Sequence, residues 1–93
     1  MEEVPYSFQL AVEKRVLEKK AKISFVLPYA AHVLLRVFND EDEEVRLLLN
    51  EKINEGEYTI MFNFNQLPSA SYTVRLVAET DKAIDKETQT IQL

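Results

Sequence analysis

His32 is the only histidine in the chain, and Asp40-Glu41-Asp42-Glu43-Glu44 is its densest run of carboxylates. These are the residues whose types could do chemistry. A nucleophile–base–orienter set needs a serine or cysteine beside the histidine and a carboxylate behind it. Cysteine is absent, and no spacing ties Ser24 or Ser71 to His32, which reads as a surface histidine at the start of a strand. The acidic run reads as a solvated hairpin turn that adds negative charge for solubility. Its alternate members Asp40, Asp42 and Glu44 could face one way and offer oxygens to a hard cation such as calcium. The glycine and ligand spacing of an EF-hand loop are missing, however, so these three stand only as weak metal candidates. Paired carboxylates for glycoside hydrolysis need a fixed separation in a cleft, which tight turns between short strands do not provide. A single glycine cannot build a phosphate-cradling loop. The expectation is a domain that is not an enzyme and carries no cofactor.

Charge narrows the partners. Lys and Arg total 11 against 16 for Asp and Glu, a net charge of −5, which repels phosphate backbones and argues against nucleic-acid binding. The local exception is Lys14, Arg15, Lys19, Lys20 and Lys22, read as lysine protection of a sheet edge. No apolar run approaches the roughly 20 residues of a membrane helix. The start, Met-Glu-Glu-Val-Pro, has neither the basic nor the apolar region of a signal peptide. A complete chain is expected to be cytoplasmic; a fragment of a larger protein could be secreted or displayed on the cell surface.

Periodicity supplies the elements. The 93 residues fit one domain spanning 1–93, and apolar residues alternate in seven segments. The first is expected over Tyr6 to Val12 and the second over Lys22 to Leu27, with Ile23, Phe25 and Leu27 inward and Pro28 as its stop. Between them, Val12 to Ala21 reads as a strand end plus turn, since ten residues make a marginal helix. The third spans His32 to Phe38 with Val33, Leu35 and Val37 inward; the fourth spans Val45 to Leu49 with Val45, Leu47 and Leu49 inward. Asn54-Glu55-Gly56 is a turn in which the glycine supplies a positive φ. The fifth and sixth fill Gly56 to Leu76, broken by Leu67-Pro68, with Tyr58, Ile60, Phe62 and Phe64 and then Tyr72, Val74 and Leu76 as the alternating apolar set. The seventh, Lys86 to Leu93, alternates imperfectly, as an edge strand does. Short strands with polar turns predict an all-β, antiparallel β-sandwich.

The blocks Ile23-Ser24-Phe25-Val26-Leu27-Pro28, Val33 to Asn39 with Val45 to Leu48, Gly56 to Asn63 and Leu67 to Leu76 share an order and spacing with a known family. Over residues 22 to 93 the chain resembles the immunoglobulin-like domain of the flagellar hook-capping protein. It is also similar to the C-terminal sorting domains of bacterial proteins exported by the type IX secretion system. Two turn glycines of that pattern are replaced, by Asp42 and by Ala70. The resemblance implies a seven-strand immunoglobulin-like sandwich and a non-catalytic sorting module. Positions near Lys22, Arg75 and Lys86 would be read by the export machinery. It also implies a folding role for Tyr72, whose hydroxyl would anchor on nearby backbone like the tyrosine corner of such sandwiches.

The outward strand positions add to this. Val26, Leu34, Phe38, Leu48, Met61 and Val77 alternate out of phase with the inward set, where a solvated sheet should be polar. Apolar patches of this kind mark docking surfaces. Leu34, Phe38, Leu48, Met61 and Val77 from this set, with Arg75 and Lys86 as the resemblance implies, are the protein-binding candidates, and the expected partner is the export machinery or a neighbouring domain. Two further readings stand beside the sorting module. One is a structural spacer, cap or adhesion module that docks through the apolar positions. The other is a carbohydrate-binding accessory domain, with Tyr29 and Tyr58 as its only platform aromatics.

Overall fold

The computed structural model describes residues 8–15, 19–64 and 71–92. They form seven strands: β1 (Gln9–Arg15), β2 (Lys20–Leu27), β3 (Ala31–Phe38), β4 (Glu44–Ile53), β5 (Gly56–Asn63), β6 (Ser71–Glu79) and β7 (Ile84–Gln92). Two antiparallel sheets result, one ordered β1-β2-β5 and the other β4-β3-β6-β7. The chain changes sheet after β2, after β4 and again after β5. This is a seven-strand antiparallel β-sandwich in which the fourth strand pairs with β3 instead of lying beside β5.

Alternation builds the core. Successive side chains of a strand point to opposite faces, so β2 buries Ala21, Ile23, Phe25 and Leu27 while β3 buries Ala31, Val33, Leu35 and Val37. Tyr72, Val74, Leu76 and Ala78 of β6 and Phe62 of β5 complete the filling between the sheets. Aromatic pairs tie it together. Phe25 stacks on Tyr58 with ring centroids 5.2 Å apart, and Tyr72 meets Phe62 edge-on at 6.2 Å. Each such pair contributes about 0.5–1.5 kcal/mol beyond its buried area.

Of the stretch Val12 to Ala21, the described residues are strand through Arg15, a turn at Lys19 with φ 54°, and strand again from Lys20, while residues 16–18 lie outside the described residues. The first strand lies later than expected, at Gln9–Arg15. Its charged end stays in the ladder because Glu13 sits opposite Lys22, an opposite-charge cross-strand pair. Tyr6, Leu67, Pro68, Ala70 and Leu93 lie outside the described residues. At the β4–β5 turn Gly56 has φ 142°. A methyl there would meet only the Tyr58 ring at 3.9 Å, so backbone conformation, not space, requires the glycine.

β4 departs from the expected pattern. Its pairing with β3 shifts register between Leu35 and Arg36 and again between Val37 and Phe38. Each shift inserts a residue and flips the parity of the positions beyond it. Leu47, expected inward, is therefore opposite Arg36 and 50% exposed. Leu48, expected outward as a docking residue, packs against the core with Val45, Leu49 and Ile53.

Candidate functional site

With Val33, Leu35 and Val37 inward, β3 must present His32, Leu34, Arg36 and Phe38 to the outside. By the same alternation β6 presents Thr73, Arg75, Val77 and Glu79. The register sets His32 across from Glu79, Leu34 from Val77, Arg36 from Arg75 and Phe38 from Thr73. β7 places Lys86 beside Val77, and β4 places Leu47 beside Arg36. Leu34, Phe38, Arg75, Val77 and Lys86 thus share the outer face of the four-stranded sheet. Met61 and Lys22 do not: they are neighbours on the opposite sheet.

Phe38 closes one end of this face, and it is not the open hydrophobe that alternation suggests, being only 8% exposed. The Arg75 guanidinium lies 4.4 Å from its ring centroid and that of Arg36 lies 5.8 Å away. Both are within the range of attraction between a cation and the negative face of an aromatic ring. That attraction offsets the repulsion between like charges set directly across two strands. Glu44 approaches the Arg36 guanidinium at 3.7 Å, with both side chains partly exposed, a contact worth under about 1 kcal/mol. The Arg36 Nε is buried and lacks a hydrogen-bond partner among the described residues. Among them, too, no carboxylate pairs with Arg75. The face carries Arg36, Arg75, Lys86 and Lys52 against Glu44 and Glu79. It is a positive surface on a chain of net charge −5.

Sequence reasoning missed Arg36 and Leu47. Arg36 stands between outward Leu34 and Phe38, and on its own a charged residue there reads as solvated. The β3–β6 register is what pairs it with Arg75.

The other candidates lie apart from this face or are engaged elsewhere. His32 Nε2 is 2.6 Å from Asn50 Oδ1 at the surface. Ser24 is on the other sheet, and Ser71 is at the far end of β6, opposite Gln92. Among the described residues no nucleophile set is brought together around His32. In the acidic turn, the Asn39 side chain accepts from the backbone N–H of Glu41 and of Glu43, each at 2.9 Å. Glu44 turns away to Arg36. Among the described residues no three acidic or imidazole side chains converge on a metal position, and Asp40, Asp42 and Glu44 are not gathered into one. Tyr58 stacks on Phe25 between the sheets and donates to the Asn54 carbonyl at 2.6 Å. The Tyr29 hydroxyl donates to Asp85. The two rings are engaged within the protein rather than set side by side as a sugar platform.

Asp42 stands at φ 62°, a left-handed conformation that glycine adopts without a Cβ penalty. Asp42→Gly is expected to raise stability by about 0.5–1 kcal/mol, read as a higher urea midpoint at unchanged slope.

No protein-family model matches this chain, and no curated protein matches it.

Proposed function

We propose that this domain is a non-catalytic protein-interaction module that docks an acidic segment of a partner on the outer face of its four-stranded sheet. The observation that carries this reading is the Arg36–Arg75 pair held around Phe38, with Leu34, Val77 and Leu47 beside it. Arginine and aromatic residues dominate the energetics of protein interfaces. Guanidinium groups bind carboxylates in a fixed two-pronged geometry, and a partner carboxylate would relieve the repulsion between the two arginines. The likeness of the sequence blocks to type IX sorting domains makes bacterial export machinery the first partner to try. In that role the domain would be the sorting end of a larger secreted or cell-surface protein.

The reading is tested by titrating the isotope-labelled domain with a peptide rich in Asp and Glu that carries one tyrosine. The expected shifts are confined to outward residues of β3, β6 and β7, including the Arg75 side chain, and vanish when the acidic residues are replaced by lysine. Shifts centred on Lys14 to Lys22, or equal shifts with the lysine peptide, would remove this face from the reading. Fusion of the domain to a reporter in a type IX host tests the sorting role itself, which fails if the reporter stays inside.

A further inference from the structure

We infer that β5 is a self-pairing edge, through which two copies of this chain join their three-stranded sheets into one continuous sheet. Among the described residues the sandwich has four edge strands, β1, β5, β4 and β7. An edge offers unpaired backbone groups to any passing strand, and proteins guard against this with bulges, charges or cover. Three of the four edges carry such guards.

β1 and β7 guard each other. They approach along one flank of the sandwich. There the Gln89 side chain donates to the Leu10 carbonyl at 3.4 Å, and the Lys14 ammonium donates to the Gln92 carbonyl. β4 is guarded by its two register shifts and by Arg46, Glu51 and Lys52 along its length. No comparable approach joins β4 to β5 on the other flank.

Among the described residues β5 has no bulge and no cover, and Glu57 is its one charge. Its register with β2 is unbroken from Gly56 to Asn63, and its sequence, Gly-Glu-Tyr-Thr-Ile-Met-Phe-Asn, holds no lysine, arginine or proline. The direction of its open groups is fixed by one bond. The Phe64 N–H donates to the Lys19 carbonyl at 3.0 Å, so the even-numbered residues of β5 are the ones bonded to β2. Antiparallel ladders alternate, and the backbone groups of Thr59 and Met61 therefore point away from the sheet. Among the described residues no strand pairs with them. Met61 is 46% exposed, while Tyr58 and Ile60 pack against the core only partly buried.

A second copy of β5 fits this edge. Antiparallel pairing about a two-fold axis must join odd residues to odd residues. Setting Ile60 against Ile60 of the other copy meets that condition, with Thr59 opposite Met61, Tyr58 opposite Phe62 and Glu57 opposite Asn63. The half-buried Tyr58 and Ile60 then gain apolar neighbours on the inner side. No like charges face each other, and Glu57 of each copy approaches the strand pair in which Lys20 lies beside Asn63 of the other. The interface is isologous and closes as a dimer. Strand pairing alone gives a small interface, of the weak and transient class.

The test is sedimentation equilibrium of the intact chain up to about 1 mM, where a dimer with a dissociation constant of about 10–100 µM is expected. Met61→Pro removes an N–H that β2 does not use, and proline is tolerated on an edge strand. It is expected to weaken the dimer at least tenfold while leaving the circular dichroism and melting temperature unchanged. Thr59→Lys provides the same readout without a backbone change. Because the chain has no cysteine, Ile60→Cys treated with diamide should form a disulfide-linked dimer, and Leu47→Cys should not. A monomer throughout the range, a dimer indifferent to both Met61→Pro and Thr59→Lys, or equal cross-linking at Leu47 would overturn the inference. The Arg36–Arg75 face lies on the other sheet, so the fate of the proposed function is independent of these outcomes.

Discussion

Tyr72→Ala is expected to cost about 3–5 kcal/mol of folding stability. Tyr72 is 1% exposed and heads the largest fully buried side chains of the described residues. It sits on β6 opposite Ile91 and meets Phe62 edge-on at 6.2 Å. Truncation removes the ring's transfer energy, the aromatic pair with β5, and the bridge this pair makes between the two sheets. A cavity is left in a core that small domains cannot easily spare. Natural domains have about 5–15 kcal/mol of stability in total, so the variant should lose a large share of it and unfold at a much lower urea concentration. Tyr72→Phe keeps the volume and removes only the hydroxyl, for an expected cost of about 0.5–1.5 kcal/mol. Urea unfolding followed by tyrosine fluorescence and by circular dichroism separates the two. A cost below about 1 kcal/mol for the alanine variant would mean that the two sheets are held together elsewhere.

The elements legible in the sequence are those with one unbroken period. Ile23, Phe25 and Leu27, then Val33, Leu35 and Val37, then Tyr72, Val74 and Leu76, all alternate cleanly and all lie in the core. Their strands have a neighbour on both sides, so pairing holds the register and the pattern stays intact. β4 defeats the same reasoning because it is an edge strand with two inserted residues. Val45, Leu47 and Leu49 look like one face, yet the register shifts send Leu47 outward and Leu48 inward. The end of β1 is misplaced by periodicity because its charged residues, Glu13 to Arg15, look like a turn until Glu13 is seen opposite Lys22 of β2.

The candidate site is half legible for a related reason. Leu34, Phe38, Arg75, Val77 and Lys86 can each be marked as outward from local alternation. That they share a face depends on β3 pairing with β6 and β6 with β7, a long-range fact that local periodicity does not contain. The cover over Phe38 is less legible still. It needs Arg36 and Arg75 to arrive from different strands at the same ring. Edge character is likewise a property of the topology: β5 is open because β4 crossed to the other sheet, and nothing within β5 itself announces that.

Arg75→Glu should separate stability from function on this face. The substitution gives up the contact of the guanidinium with Phe38 at 4.4 Å, worth about 0.5–1 kcal/mol at an exposed site. It also replaces a like-charge pair with Arg36 by an opposite-charge cross-strand pair, worth about 0.2–1 kcal/mol. The two changes nearly cancel, and the melting temperature should move little. Docking of an acidic segment should fare very differently, because one arm of the guanidinium pair becomes a repelling carboxylate. Truncating a central interface arginine costs about 2 kcal/mol or more, which is a loss of about 30-fold in affinity. Arg75→Lys keeps the charge but not the fork, so it should restore binding only in part. Lys22→Glu makes the same change in net charge on the opposite sheet and should leave binding nearly intact at physiological salt, where exposed charges are screened beyond about 8 Å. If Lys22→Glu weakens binding as much as Arg75→Glu does, the acidic peptide is responding to net charge alone.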